Sequence, residues 1–222
     1  MIKYLVKEIS NIDEEINDTY KLLLDKKYQF VIIKNNEKYY CLTKEKSMFV
    51  IDDVECFISC AKEDVYYKTI KEKVSEINED DLNKYYAYID KYKSKLTNNL
   101  YGDKYIFGSV AIKCDKGFIT TIRGKEDLSD YAYVNYVDHD NKIVSVNDKK
   151  ASLNTPLLSC LFENENVKYI VHINHEYDSS LVSYKYEFPG TLKDSKRDNS
   201  KSFNIENHGV FYLFDKEGEI IR

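Results

Sequence analysis

No run of 18 apolar residues occurs in this 222-residue chain, so no segment reads as a membrane span. The opening Met1-Ile2-Lys3-Tyr4 lacks the pattern of a secretory leader, and a cytoplasmic location is expected. Arginine is scarce, at Arg123, Arg197 and Arg222. The lysines are interleaved with acids to a net charge of −5, and without a basic stripe no nucleic-acid partner is expected. CxxC pairs are missing. Five cysteines (Cys41, Cys56, Cys60, Cys114, Cys160) are an odd number and read as reduced, mostly buried thiols. Cys56 and Cys60 can share a helix face, but no second pair accompanies them to make a zinc set. The first hundred residues lack glycine, proline and histidine altogether, and all of these lie beyond residue 100. That shift points to two units. What is present is ordinary for a soluble globular protein: 43% hydrophobic and 32% charged residues, with length enough for a real core.

Residues 1 to about 78 alternate short elements. Tyr4-Leu5-Val6 reads as a strand. Asp13 to Lys27 follows a helical pattern through Ile16, Tyr20, Leu23 and Leu24, with Asn11 or Asp13 as cap. Phe30-Val31-Ile32-Ile33 is a buried-strand run, Asn35-Asn36 a turn, Tyr39 to Leu42 the returning strand and Met48 to Ile51 a third. The order vaguely resembles half of a nucleotide-sensing CBS module, beside the plainer reading of a small α/β unit. Residues 62 to 79 are charged and read as a linking helix. Asp80 to Leu100 reads as another, with a tyrosine-rich apolar stripe of Leu82, Tyr85, Tyr86, Ile89, Tyr92, Lys93 and Leu96 that is expected to pack rather than bind. Ser195 to Lys201 reads as a mobile polar loop, and His139 as a solvated turn residue.

A series of short motifs follows. Phe107-Gly108-Ser109-Val110-Ala111-Ile112 precedes Gly117 to Lys125 (GFITTIRGK), Val134 to Val144 (VNYVDHDNKIV) and Ala151 to Leu157 (ASLNTPL). Val171-His172-Ile173-Asn174, a Phe-Pro-Gly-Thr stretch ending at Thr191, and Asn207-His208-Gly209-Val210 complete the set. In this order they resemble the class II aldolase/adducin family, whose corresponding segments read GFLITPSG, VVDLDGKVV, PSSETPL, VVHTH and NHGV. The resemblance covers residues 82 to 215. It implies an α/β/α layered domain with a central, mostly antiparallel sheet over 79–222, shortened at its C-terminus, preceded by a small α/β unit over 1–78. It also implies assembly into a homo-oligomer.

The resemblance carries site expectations with it. Its three metal-binding imidazoles map to His172, Asn174 and His208, leaving His172 and His208 as candidate ligands of zinc or another divalent ion. The acid/base glutamate maps to Asn154, which cannot exchange a proton near neutral pH. Its phosphate cradle maps to Ser109, Thr121, Arg123, Gly124 and Ser152, with Leu153 at a second serine position, and implies a small anionic, sugar-like ligand. Arg123 adds a fork of donors suited to phosphate or carboxylate. On an extended strand His172, Asn174 and Glu176 share a face, so Glu176 is a candidate replacement ligand or base, whereas His175 joins only through a bulge. Two readings follow. One is a non-catalytic or altered-function ligand- or partner-binding protein, as the adducin head would be. The other is a metal-dependent lyase or isomerase that works through an enediolate.

Overall fold

A computed structural model describes the chain except residues 1–3, 26–27, 29, 44–47, 52–53, 55–57, 59–66, 73–76, 97–107, 126, 175, 188, 199 and 207. The fold is mixed α/β, with two sheets. The first has the order β1 (Tyr4–Glu8), β2 (Phe30–Asn35), β3 (Lys38–Thr43), β4 (Met48–Ile51), with α1 (Ile12–Asp25) between β1 and β2. β2 carries a continuous apolar run because both its faces are covered. Val31 and Ile33 pack with Ile16, Leu23 and Leu42 under α1, and Phe30 and Ile32 pack with Cys41 and Ile51 on the opposite face. Glu15 caps the start of α1 by accepting the Ser10 and Asn11 amides at 3.1 and 3.3 Å. Asn36 takes the left-handed conformation (φ 53°) that the β2–β3 turn requires.

The second sheet is built from β5 (Lys68–Lys71), β6 (Ser109–Lys113), β7 (Phe118–Thr121), β8 (Tyr131–Asp138), β9 (Ile143–Val146), β10 (Tyr169–Ile173), β11 (Val182–Tyr184), β12 (Phe203–Ile205) and β13 (Gly209–Phe214). Its order is β11-β12-β13-β10-β6-β7-β8-β9-β5. The edge pairs β11–β12 and β9–β5 are parallel, and the rest are antiparallel. Alternate residues of the central strands enter two separate cores. Val110, Ile112, Val171, Ile173, Val210 and Tyr212 pack with Tyr85, Ile89 and Leu96 of α2 (Glu79–Leu96). Ala111, Ile170, Phe211 and Leu213 pack with Leu157, Leu158, Leu161 and Phe162 of α3 (Thr155–Phe162). The tyrosine stripe of α2 is therefore packing, as its helical spacing indicates.

Three local expectations fail. Within the span read as a linking helix, residues 68–71 form β5, paired in parallel with β9 and so part of the nine-stranded sheet. Lys-Thr-Ile-Lys has no periodicity of its own, and its partner lies far along the chain. The loop read as mobile begins in a short helix, α4 (Leu192–Ser195), and is pinned by Arg197, which donates to Asp194 Oδ1 from Nε (3.1 Å) and Nη2 (2.8 Å). His139 is half-buried against Tyr67 and Cys160 rather than solvated. Cys56 and Cys60 lie outside the described residues. Among those described, no helix is long and apolar enough to cross a membrane.

Candidate functional site

β10 brings the first histidine into place by register. His172 stands opposite Ser109 on β6 and Phe211 on β13, and Phe211 stands opposite Phe203 on β12, so one row crosses four strands on the α3 face. The rings stack along that row: Phe203 on Phe211 at 5.2 Å, Phe211 on His172 at 4.0 Å and 10°. His208, delivered by the turn that leads into β13, lies with its ring 4.8 Å from that of His172, and Tyr186 meets it edge-on at 5.8 Å. Both histidines are buried.

Two glycines make this approach possible. Gly108 and Gly209 open the strands on either side of β10, with φ of +81° and +115°. A Cβ at either would strike a carbonyl of β10, that of His172 for Gly108 and that of Ile173 for Gly209. Any larger residue would push the flanking strands off the His172 row.

The hydrogen bonding of His172 fixes its tautomer. Its Nδ1 lies 3.1 Å from the Val210 carbonyl, which can only accept, so Nδ1 carries the hydrogen and, in a neutral ring, Nε2 carries the lone pair. Outer-shell carbonyls orient metal-binding histidines in this way. The next position, Asn174, has a buried Oδ1 with no hydrogen-bond partner among the described residues. Two imidazole rings and one buried amide oxygen are thus the donor types at this end of β10, types that suit a divalent ion, with no anionic group among them.

Glu176 does not join them. β10 ends at Ile173, so the alternation that would have carried Glu176 to the His172 face stops three residues short. Its carboxylate is instead held on the α2 face, 2.7 and 2.8 Å from Lys95 Nζ, and accepts the Tyr212 hydroxyl at 3.1 Å. Asp178, the next carboxylate, is engaged by the Ser180 amide and hydroxyl, which hold its carboxyl below the usual range. His175 lies outside the described residues.

The residues of the expected anion cradle divide into two groups. Thr121, Arg123, Gly124 and Ser152 come together because the turn after β7 bridges to the stretch before α3, through Ser152 N–H to Thr121 O and Arg123 N–H to Lys150 O, both 2.9 Å. Ser109 belongs instead to the His172 row. The Oγ of Ser109 and the Oγ1 of Thr121 are both buried without a hydrogen-bond partner among the described residues. Arg123, Ser152, Leu153, Pro156 and Gly190 line a narrow cleft of about 10 Å³. That is room for one water-sized group. Lys125 in the same turn was not anticipated by motif: it is half-buried by surface, and desolvation of its ammonium brings it down to about 8. Asn154 sits buried at the head of α3, its side chain making no cap bond and its Oδ1 without a partner among the described residues.

No protein-family model matches the chain, and no curated protein does. Among solved structures, an L-fuculose 1-phosphate aldolase aligns with a TM-score of 0.46 at 13% identity, over 62% of this chain and 76% of its own. YgbL from Escherichia coli aligns at 0.42 and 14%, over 60% and 77%. An L-fuculose-1-phosphate aldolase from Thermus thermophilus aligns at 0.36 and 13%, over 48% and 67%. These are distant likenesses of backbone shape, and what the site of this chain does is read from its own residues.

Proposed function

We propose that this protein is a non-catalytic binding protein whose Arg123 turn takes one anionic group of a small, sugar-like ligand. The observation that carries this reading is the narrowness of the cleft beside Arg123. Substrate pockets that enclose a small molecule run to roughly 300–1,000 Å³, whereas the space beside Arg123 is about 10 Å³. A single phosphoryl or carboxylate oxygen fits there, with the rest of the ligand outside. The surroundings suit binding without chemistry. Asn154 replaces the carboxylate that a proton transfer at this position would use, and Glu176 is committed to Lys95 and Tyr212. In this reading residues 1–78 and 79–222 are the two functional units, with β5 lent by the first to the sheet of the second.

The test is titration calorimetry of the full chain with inorganic phosphate and with hydroxy-ketone sugar phosphates, alongside NMR of the ligand over hours. Saturable binding that Arg123→Ala weakens at least ten-fold, with the ligand unchanged, is expected. Binding indifferent to Arg123→Ala, or none at all, overturns the assignment.

The tautomer of His172 favours a second reading. With Nδ1–H committed to Val210, the Nε2 lone pair of His172, His208 and the Asn174 amide would hold zinc or a similar ion. When bound, such an ion supplies Lewis-acid polarisation of a hydroxy-ketone. The protein would contribute ring orientation through the Val210 carbonyl and Phe211, and anchoring of the ligand's anionic group by Arg123. Stoichiometric zinc lost on His172→Ala or His208→Ala, counted in a Cys160→Ser background, together with cleavage or isomerisation of a sugar phosphate, would replace the first reading by this one.

A further inference from the structure

His139 lies in the turn between β8 and β9 and Cys160 on α3, far apart in sequence but in contact. Cys160 Sγ is 3.3 Å from His139 Nε2. Glu163 follows Cys160 by one helical turn, and a carboxylate oxygen of Glu163, Cys160 Sγ and a ring nitrogen of His139 all lie within 4.8 Å of one another. Among the described residues no other three of the histidines, cysteines and carboxylates gather so closely. The other ring nitrogen of His139 is 2.6 Å from the Tyr67 hydroxyl, just ahead of β5.

The geometry points to a binding site for a zinc-class divalent ion, with His139 Nε2, Cys160 Sγ and a Glu163 carboxylate oxygen as ligands and a fourth position for water. Zinc bonds of about 2.3 Å to sulfur and 2.0 Å to nitrogen at a tetrahedral angle set the two donor atoms about 3.5 Å apart. The observed 3.3 Å is close to that separation. An exposed glutamate side chain closes the remaining gap by a change of rotamer. The Tyr67 contact supplies the outer partner: Nδ1–H donates to the phenolic oxygen, which leaves Nε2 with its lone pair towards Cys160. A mixed sulfur, nitrogen and oxygen set selects zinc or cobalt over magnesium or calcium.

A simple thiol–imidazole contact explains the pair but not the third member. Glu163 brings a carboxylate oxygen within 4.8 Å of both the thiol sulfur and the imidazole nitrogen, where a bound cation would balance it beside a thiolate. Binding the ion deprotonates the thiol and releases one proton to solvent, the sulfur lone pair becoming the metal bond. The donors come from the β8–β9 turn and from both sides of the end of α3, so the ion would tie that turn to the helix. His172 and His208 are not part of this set, and the site stands or falls independently of the reading given to them.

Cobalt(II) titration of the full-length protein under reducing conditions tests it. Expected are a near-ultraviolet thiolate-to-cobalt charge-transfer band and strong visible ligand-field bands at one equivalent. Cys160→Ser abolishes the ultraviolet band, His139→Ala weakens binding at least ten-fold and Tyr67→Phe weakens it about ten-fold. His172→Ala and His208→Ala leave the band intact. As a measurement that needs no variant, zinc should slow alkylation of Cys160 at least ten-fold, read by peptide mass mapping against the other cysteines. Cobalt bound without a thiolate band, a band that survives Cys160→Ser, or alkylation of Cys160 unaffected by zinc overturns the proposal.

Discussion

Arg197 and Asp194 form a pair whose side chains are 6% and 2% exposed, and the guanidinium also donates to the Lys185 carbonyl at 3.1 Å. Burial raises the Asp194 carboxyl to about 6 against the pull of Arg197. A folded value above the unfolded 3.8 means the native state holds the proton more tightly. The associated stability is complete below about 3.8 and is lost as pH rises towards 6. Arg197→Met removes the one opposing charge and drives the carboxyl higher still. The variant should lose about 3–5 kcal/mol at pH 8, where the carboxylate is ionised without its partner. It should lose distinctly less at pH 5, where Asp194 can keep its proton. Urea unfolding at the two pH values measures this, and equal losses at both would show that the guanidinium matters through packing rather than charge. Nothing in the run Ser-Lys-Arg-Asp-Asn-Ser-Lys announces such an anchor, because the acid it needs lies just outside the run.

Among the elements, β10 decides the site, and its neighbours must come close enough to hold the His172 row. Gly209→Ala sets a Cβ against the Ile173 carbonyl at a φ of +115°. Strain of about 1–3 kcal/mol from the backbone conformation is expected, with the clash added to it. A drop in unfolding free energy of at least ~2 kcal/mol, with shifted histidine ring signals in NMR, checks this. An unchanged spectrum would mean that β13 can slide without moving His208. The position of β10 was legible, because Val171-His172-Ile173 has the alternation of a strand, whereas the close approach at Gly108 and Gly209 shows only in the structure. What could not be read was where β10 stops. A period of two extended past Ile173 puts Glu176 on the His172 face, but the chain leaves the strand there and the carboxylate meets Lys95, a partner distant in sequence. β5 was illegible for a related reason. Its four residues, two of them lysines, gain strand geometry only from pairing with β9. The turn around His139 reads as solvated because a turn sequence carries no record of the helix residue, Cys160, that meets it.

At the scale of the whole molecule, the two sheets meet at Leu153. Its side chain packs on the face of the first sheet formed by Phe30, Ile32, Cys41 and Ile51, while it also lines the cleft beside Arg123 and backs Gly190. Leu153→Ser removes this apolar joint and sets a hydroxyl beside Arg123. Leu153 is only partly buried, so the loss of its apolar contacts should cost about 1–3 kcal/mol. That loss should appear first as weakened hydrogen-exchange protection of β2 and β3, before the nine-stranded sheet loses its own. The same change widens the cleft and adds a hydroxyl donor, so phosphate affinity should rise by roughly ten-fold in calorimetry, the worth of one hydrogen bond to a charged group. If protection in β2 and β3 is untouched, the first sheet is held elsewhere. If protection falls while phosphate affinity stays the same, Leu153 is a structural joint with no bearing on the cleft. Only the two effects together make the first sheet a cover whose seating sets how far the Arg123 cleft can open.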